Sequence, residues 1–249
     1  DWLKETGRWD DTMVVVCADH GELHGEHDLY GHEFCLYDPL VNVPLMIKHP
    51  ALDADRREDQ VELVDLYHTV LDVLDVDGGT PASPAEDAVA LDRTRSLVSD
   101  SYRAFEDLDA ADRDPGQRGD GDYAFVEYSR PVVELNQLEE KAADAGITLP
   151  SDSRFYSRMR AARRTDAKYV RIDRIEDEAY RLDEDPAETE NLADADDPAI
   201  EATDETLAAF ESAVGGAWTD ALDDDVSDDS VDEMDDEAQE RLRDLGYLE

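Results

Sequence analysis

"TMVVVCADHGELHGEHDLYGH", Thr12 to His32, decides how the rest of the chain is read. It opens as a short apolar run centred on the β-branched Val14–Val16 and breaks at Ala18 into a loop crowded with carboxylates and imidazoles. An uninterrupted apolar strand reads as one covered on both faces, which predicts a parallel sheet between helices. Asp19 and His20 stand just past the carboxyl end of that strand, where open α/β sheets bind ligands. Four of the six histidines fall in this one loop, in a chain of formal net charge −44. A solvated acidic surface has no use for such an arrangement, whereas a metal site or an anion-handling site does.

Within the loop, a carboxylate and a neighbouring imidazole can share one divalent cation when further ligands come from elsewhere. The competing reading has Asp19 capping the turn and His20 facing water. Gly21 allows a sharp turn or a close backbone approach. His32, twelve positions after His20 and just behind another glycine, can return to the same crevice as a cationic contact for an oxyanion. His24 and His27 imitate helical ligand spacing with His20. No HExxH is present, though, and Gly21 and Gly25 oppose a helix, so both are read as surface or supporting residues. Cys17 and Cys35 form no CxxC and are too few for a disulfide framework.

Outward from the loop, "VPLMIKHP" (Val43–Pro50) reads as a second strand, with Pro44 tolerated near its start or at an edge. Leu63, Tyr67, Val70 and Leu74 recur at helical spacing, with a cap near Asp59 and a stop at Asp77–Gly79. Strand, loop, strand and helix in this order predict α/β layering. Thr80–Asp122 is polar connecting sequence with one short helix near Arg93–Phe105. "YAFVEYSR" (Tyr123–Arg130) predicts a strand, and Glu134–Ala145 a helix. "SRMRAARRTDAKYVRID" and "EDEAYRLDEDPAETENLAD" read as two strands joined by a turn, the start of a small antiparallel sheet. A helix over Pro198–Val214, an acidic linker and a terminal helix ending in "RLRDLGYLE" complete the chain. The expected organisation is an α/β portion over 1–122 carrying the loop, a small antiparallel unit over 123–215, and a linker with terminal helix over 216–249.

Of the 249 residues, 41% are hydrophobic, enough for a real core, while 67 acidic side chains face 23 basic ones. With a pI near 4.1, the surface repels nucleic-acid phosphates and anionic lipid, so neither is expected as a partner. The acidity is spread along the chain, the pattern of a surface adapted to molar salt, where charges are screened within about 3 Å. No apolar run approaches the roughly 20 residues of a membrane span. A salt-adapted surface fits a salt-rich cytoplasm and equally a brine outside the cell, and the low cysteine content leans to the cytoplasm.

"TMVVVCADHGELHGEHDLYGHEFCLYDPLVNVPLMIKHP" resembles the metal-site segment of sulfatases in the alkaline phosphatase superfamily. There a strand leads into Ser-Asp-His-Gly-Glu, then Gly-Glu-His, then Gly-Lys or Gly-His, and a Pro-initiated apolar strand follows. "VELVDLYHTVLDVLDVDG" is similar to the family's next helix, with His68 where Pro is usual. "RAARRTDAKYVRI", "YRLDEDPAETENLAD" and "LRDLGYLE" resemble its later landmarks in the same order. The implied fold is the C-terminal part of an alkaline-phosphatase-like sandwich, a mostly parallel sheet between helices, plus a small antiparallel C-terminal sheet packed with a helix.

The resemblance implies a sulfuric ester hydrolase. Asp19 and His20 match the pair that ligates the divalent cation, Ca²⁺ by the carboxylate and Mn²⁺ or Zn²⁺ by the imidazole. His32 matches the residue that contacts the ester oxygens and protonates the leaving group; an imidazole in place of lysine makes that role depend on pH. Arg158, Arg160 and Arg163 could meet substrate anions or serve as structural ion pairs, and Lys168 and Tyr169 match a structural strand. The family's formylglycine, made within C/S-x-P-x-R, has no counterpart: Cys17, Cys35 and Ser129 all lack the required pattern. It is expected in an N-terminal half missing from this chain, which would be a partner along with the sulfate ester. This chain alone is then expected to be inactive. Two other readings stay open: a phosphodiesterase or phosphonate monoester hydrolase of the same superfamily, or a non-catalytic remnant that binds divalent cations.

Overall fold

The computed structural model describes residues 1–57, 60–75, 95–98 and 123–214. The first part opens with a single helical turn, α1 (Trp2–Glu5), and the apolar run forms β1 (Val14–Cys17). The site loop contains a tiny hairpin, β2 (Leu23–His24) and β3 (Tyr30–Gly31), followed by α2 (Asp38–Val41) and β4 (Leu45–Lys48). Pro44 stands immediately before β4, where its missing N–H costs no ladder bond. Helix α3 (Val64–Val73) follows. The stop at Asp77–Gly79, most of the short helix near Arg93–Phe105, the proposed cap Asp59 and the terminal helix lie outside the described residues.

The expected parallel sheet is not what β1 joins. It pairs with β4 antiparallel, Val14 opposite Lys48 and Cys17 opposite Leu45, in a two-stranded sheet. Every strand pair among the described residues is antiparallel. The run Val14–Cys17 also lacks cover on both sides: Val16 is 50% exposed and its partner Met46 62%. An apolar run reports a demand for burial, which is indifferent to the direction of the neighbouring strand, so direction was over-read from composition.

The second part is built on β5 (Ala124–Tyr128), β6 (Met159–Arg163), β7 (Lys168–Ile172) and β8 (Glu178–Tyr180), four antiparallel strands in sequence order. Helix α4 (Val132–Asp144) leads from β5 toward β6, and α5 (Pro198–Ala213) packs on the sheet. The stretch read as two strands contains three, because the polar turn at Arg164–Ala167 divides the basic run into β6 and β7. Asp197 caps α5, its Oδ1 accepting from the N–H groups of Ala199 (2.8 Å) and Ile200 (3.2 Å), with Pro198 at the first helical position.

Two-residue alternation sends this sheet's side chains to two different cores. Ala162, Tyr169 and Ala179 face α5 and bury Ile200 and Leu207. Their neighbours Met159, Ala161, Val170 and Ile172 face the other way and enclose Leu36 from the site segment. A third cluster joins Leu23, Cys35, Tyr37 and Leu40 to Tyr180 and Leu182. Burying a side chain such as Leu23 or Met159 contributes about 1.5–3 kcal/mol, so these contacts are what hold the loop to the sheet.

Polar groups reinforce that seam. Lys168 is fully buried, and its ammonium donates to the Leu36 carbonyl (2.9 Å) and to Asp38 Oδ1 (3.0 Å) while pairing with Glu188. Arg163 grips both oxygens of Asp38 at 3.0 and 2.7 Å. The "DPAETENL" loop aims Glu188 inward: Asp185 accepts from the amides of Thr189 and Glu190, and Asn191 bridges to Ala179 and Asp177.

Candidate functional site

Backbone register brings the loop's chemistry together. Leu23 lies opposite Gly31 in the β2–β3 hairpin, so Glu22 and His32, one step beyond that pair, face each other. Glu22 Oε2 lies 3.1 Å from His32 Nδ1. Gly31, at φ +95°, makes the turn into His32 in a region that disfavours a Cβ. At the other end, the Gly21 N–H donates to the Leu40 carbonyl (2.8 Å), and a Cβ on Gly21 would lie 1.8 Å from the Pro39 carbonyl oxygen. The loop is thus clamped to α2 by an approach only glycine permits.

His20 and His32 stack with ring centroids 4.3 Å apart and planes 26° from parallel. His20 Nδ1 lies 2.8 Å from the Gly21 carbonyl, which can only accept, so Nδ1 is the donor there and Nε2 is the ring nitrogen turned toward Asp19. Nε2 is 3.8 Å from Asp19 Oδ2. The other Asp19 oxygen accepts from the His20 N–H (3.1 Å), so the turn cap and the outward carboxylate oxygen coexist on one residue. Hydrogen bonds from the backbone at Asp19 and His20, with the nearby imidazoles adding to them, hold the Asp19 carboxyl below the ordinary aspartate range. His32 Nε2 faces Glu33 Oε1 at 3.4 Å, so each of its ring nitrogens has a carboxylate neighbour.

Asp19, His20 and His32 all line one cleft of about 1130 Å³, with Tyr128, Arg163 and Thr165 among its other walls. The sequence reading missed Glu22. Donor atoms of His20, Glu22 and His32 lie within 4.8 Å of one another. The signal was present as an acidic residue two positions after His20, but only the hairpin register shows which carboxylate of the loop meets His32. His24 is exposed and does not join them. His27 turns away and stacks on Tyr37 at 3.6 Å, where burial pushes its imidazole below the ordinary value.

Of the three arginines offered for substrate anions, Arg158 pairs with Asp173 (2.8 Å), Arg160 with Glu127 (2.8 Å) and Arg163 with Asp38. Only Arg163 also lines the cleft. Lys168 is structural, and the Tyr169 hydroxyl donates to Asp177 (2.9 Å). Cys17 is exposed and Cys35 buried, both as free thiols.

Residues 1–76 match the sulfatase family model. Over this segment the chain is similar to sulfatases. Arylsulfatase K of Bos taurus is 36% identical over 72 residues, covering 28% of this chain and 13% of that protein. Choline-sulfatase of Rhizobium meliloti (strain 1021) is 27% identical over 218 residues, 88% of this chain and 34% of that protein. The crystal structure of the phosphonate monoester hydrolase of Agrobacterium radiobacter aligns with a TM-score of 0.53 at 23% identity, over 84% of this chain and 37% of that one. In these three alignments the chain spans between about an eighth and somewhat over a third of the other protein's length. The sulfatase match contains the whole site loop, from Asp19 to His32. Sulfatases generally use a divalent cation, and the residue types suit one: a carboxylate oxygen of Asp19 and a ring nitrogen of His20 lie 3.8 Å apart at the edge of a cleft. No helix among the described residues is long and apolar enough to cross a membrane.

Proposed function

We propose that this chain carries the cation-binding half of a sulfuric ester hydrolase. The observation that carries the reading is the convergence of Asp19, His20 and His32 on one cleft directly beyond β1. Asp19 Oδ2 and His20 Nε2 would hold the divalent cation, which when bound supplies Lewis-acid polarisation of the ester oxygens. An imidazole ligand favours Mn²⁺ or Zn²⁺, and the carboxylates around it favour Ca²⁺. The Gly21 carbonyl keeps His20 in the tautomer that can ligate, as carbonyl partners of metal-bound histidines do. His32 would hold the transferring group by Nε2, in place of the Glu33 carboxylate that faces it in this structure, and release a proton from there to the leaving oxygen. Glu22 orients the ring through Nδ1.

The nucleophile belongs, in this reading, to an upstream segment that completes the α/β core. The uncovered apolar face supports that partner. Val16 and Met46 on the β1–β4 pair, and Leu63, Val64, Tyr67 and Leu74 at and around α3, are between 39% and 63% exposed. A two-stranded sheet is marginal by itself, and further strands beside β1 with helices packed over their faces would give Val14–Cys17 the cover its composition demands. The length of the matched relatives agrees with such a partner.

The test joins this chain to its upstream half and assays an aryl sulfate with added Mn²⁺ or Ca²⁺. Asp19→Ala and His20→Ala are each expected to lower turnover by at least the roughly 10–100-fold that loss of a ligand's supporting partner costs; turnover unchanged in both variants refutes the assignment. The unjoined chain is expected to hydrolyse nothing. A phosphonate monoester belongs in the same assay, because the hydrolase of that substrate from Agrobacterium radiobacter shares this fold.

A further inference from the structure

His32 depends on a turn that is held from outside the loop. Two residues after it, Phe34 adopts φ +66°, a left-handed conformation unfavourable to a residue with a Cβ and persisting only where its surroundings over-determine it. Those surroundings come from the antiparallel unit. The Phe34 N–H donates to the Tyr128 hydroxyl at 2.9 Å, from the end of β5. Its carbonyl accepts from Arg154 Nη1 at 3.4 Å. Its ring meets Phe155 edge to face, centroids 5.3 Å apart. Both backbone groups of one strained residue are thus held by side chains about 100 positions downstream.

Neither holder is free to drift. Tyr128 lies on β5, paired with Met159, and packs beside the core formed by Met159, Ala161 and Val170. Burial pushes its phenol well above the ordinary value, so it stays a neutral hydroxyl able to accept from Phe34. Arg154 is fixed by Glu178 Oε1 (2.5 Å) and the Tyr37 hydroxyl (3.1 Å) and lies over the Tyr37 ring. Tyr128 also lines the cleft that holds Asp19, His20 and His32.

We propose that Tyr128 and Arg154 are positioning residues for His32: by gripping the Phe34 peptide from both sides they lock the turn that stacks the His32 imidazole on His20 and against Glu22. The antiparallel unit then serves as the jig for the site as well as a stabilising appendage. This rests on the functional reading only for what His32 is positioned to do; the positioning itself is a property of this chain.

The experiment reads the histidine side chains directly. The full chain, labelled in its imidazoles, is examined by NMR in molar KCl as wild type, Tyr128→Phe and Arg154→Lys. Tyr128→Phe keeps the ring and removes the acceptor. The expected result is a folded protein in which the His32 and His20 ring signals shift and broaden, while those of His49 and of His68 in α3 stay in place. Arg154→Lys, which restores a donor without the fork, is expected to produce a smaller shift of the same two signals. His32 and His20 signals unmoved in a folded Tyr128→Phe protein overturn the proposal. Should that variant not fold, unmoved signals in Arg154→Lys do the same. A parallel Mn²⁺ titration of the wild type separates the two claims. If the ion leaves the His20 signal unbroadened, the cation reading falls while the shifts caused by Tyr128→Phe still stand.

Discussion

Replacing Lys168 with Met tests how the site segment is fastened. The side chain is fully buried, and its ammonium serves three acceptors: the Leu36 carbonyl at 2.9 Å, Asp38 at 3.0 Å, and Glu188. Met fills similar volume, so the packing loss is small and the electrostatic loss dominates. Asp38 keeps both bonds from Arg163, but Glu188 loses its buried cation and keeps the Asp38 N–H. Removing one member of a buried pair costs about 3–5 kcal/mol, and with Asp38 still compensated the lower end, about 3 kcal/mol, is expected at pH 8. Adding Glu188→Gln removes the stranded charge and preserves an acceptor for Asp38. The double variant is therefore expected within about 1–2 kcal/mol of wild type, the residue being the unsatisfied Leu36 carbonyl.

The pH dependence has a definite sign. Burial raises the Glu188 carboxyl above the ordinary glutamate value even beside Lys168, and without the lysine it rises further. A group raised in the folded state contributes full stability below its unfolded value, about 4.3, and loses it as pH climbs through the folded value. The Lys168→Met penalty is therefore smaller at pH 5 than at pH 8. Urea unfolding in molar KCl at both pH values measures it. A single variant within 1 kcal/mol of wild type at pH 8, or a double variant less stable than the single, refutes the reasoning.

Three further expectations concern other parts of the molecule. Gly21→Ala places a Cβ 1.8 Å from the Pro39 oxygen, so the loop must part from α2; a loss of about 1–3 kcal/mol in urea unfolding is expected, and an unchanged midpoint contradicts the close approach. Cys17 reacts with a thiol reagent in the native protein while buried Cys35, pushed up to about 11, does not. The Cys35 shift is upward, so stability is complete below the unfolded thiol value and falls by about 3 kcal/mol as pH rises from roughly 9 to 11; a Cys35→Ala variant equally sensitive over that window assigns the loss elsewhere. With a net charge of −44, the melting temperature is expected to drop by several degrees between molar KCl and dilute buffer, and an identical temperature in both dismisses the salt-adapted surface.

The elements with strong local signals were legible. The apolar run at Val14–Cys17, the helical spacing of Leu63, Tyr67, Val70 and Leu74, and Asp-Pro at 197–198 opening α5 each carry their structure in a few neighbouring residues. That helical stripe, which reads as a half-buried core face, is nevertheless 38–63% exposed, while α3 buries Asp65, His68 and Thr69 instead. Asp19 and His20 were legible as a pair because adjacency needs no tertiary information. Glu22 was not, since its partner lies ten positions away and the pairing depends on which residues of β2 and β3 face each other. The roles of Tyr128, Arg154 and Glu188 left no local mark either: an isolated tyrosine, arginine or glutamate in a charged chain looks the same whether it faces water or grips a backbone amide 94 to 150 positions away.

By itself, then, the sequence determined where apolar cover is needed, where the chain turns, and which side chains able to bind a cation leave one strand together. Those are short-range properties, set by side-chain period and by backbone preferences of a few residues. Strand direction, the convergence of His20, Glu22 and His32, and the fastening of Phe34 and Asp38 to the antiparallel unit were decided only by tertiary structure. Each depends on contacts between distant segments, and burial makes the same apolar or charged residue valuable or costly according to what arrives beside it.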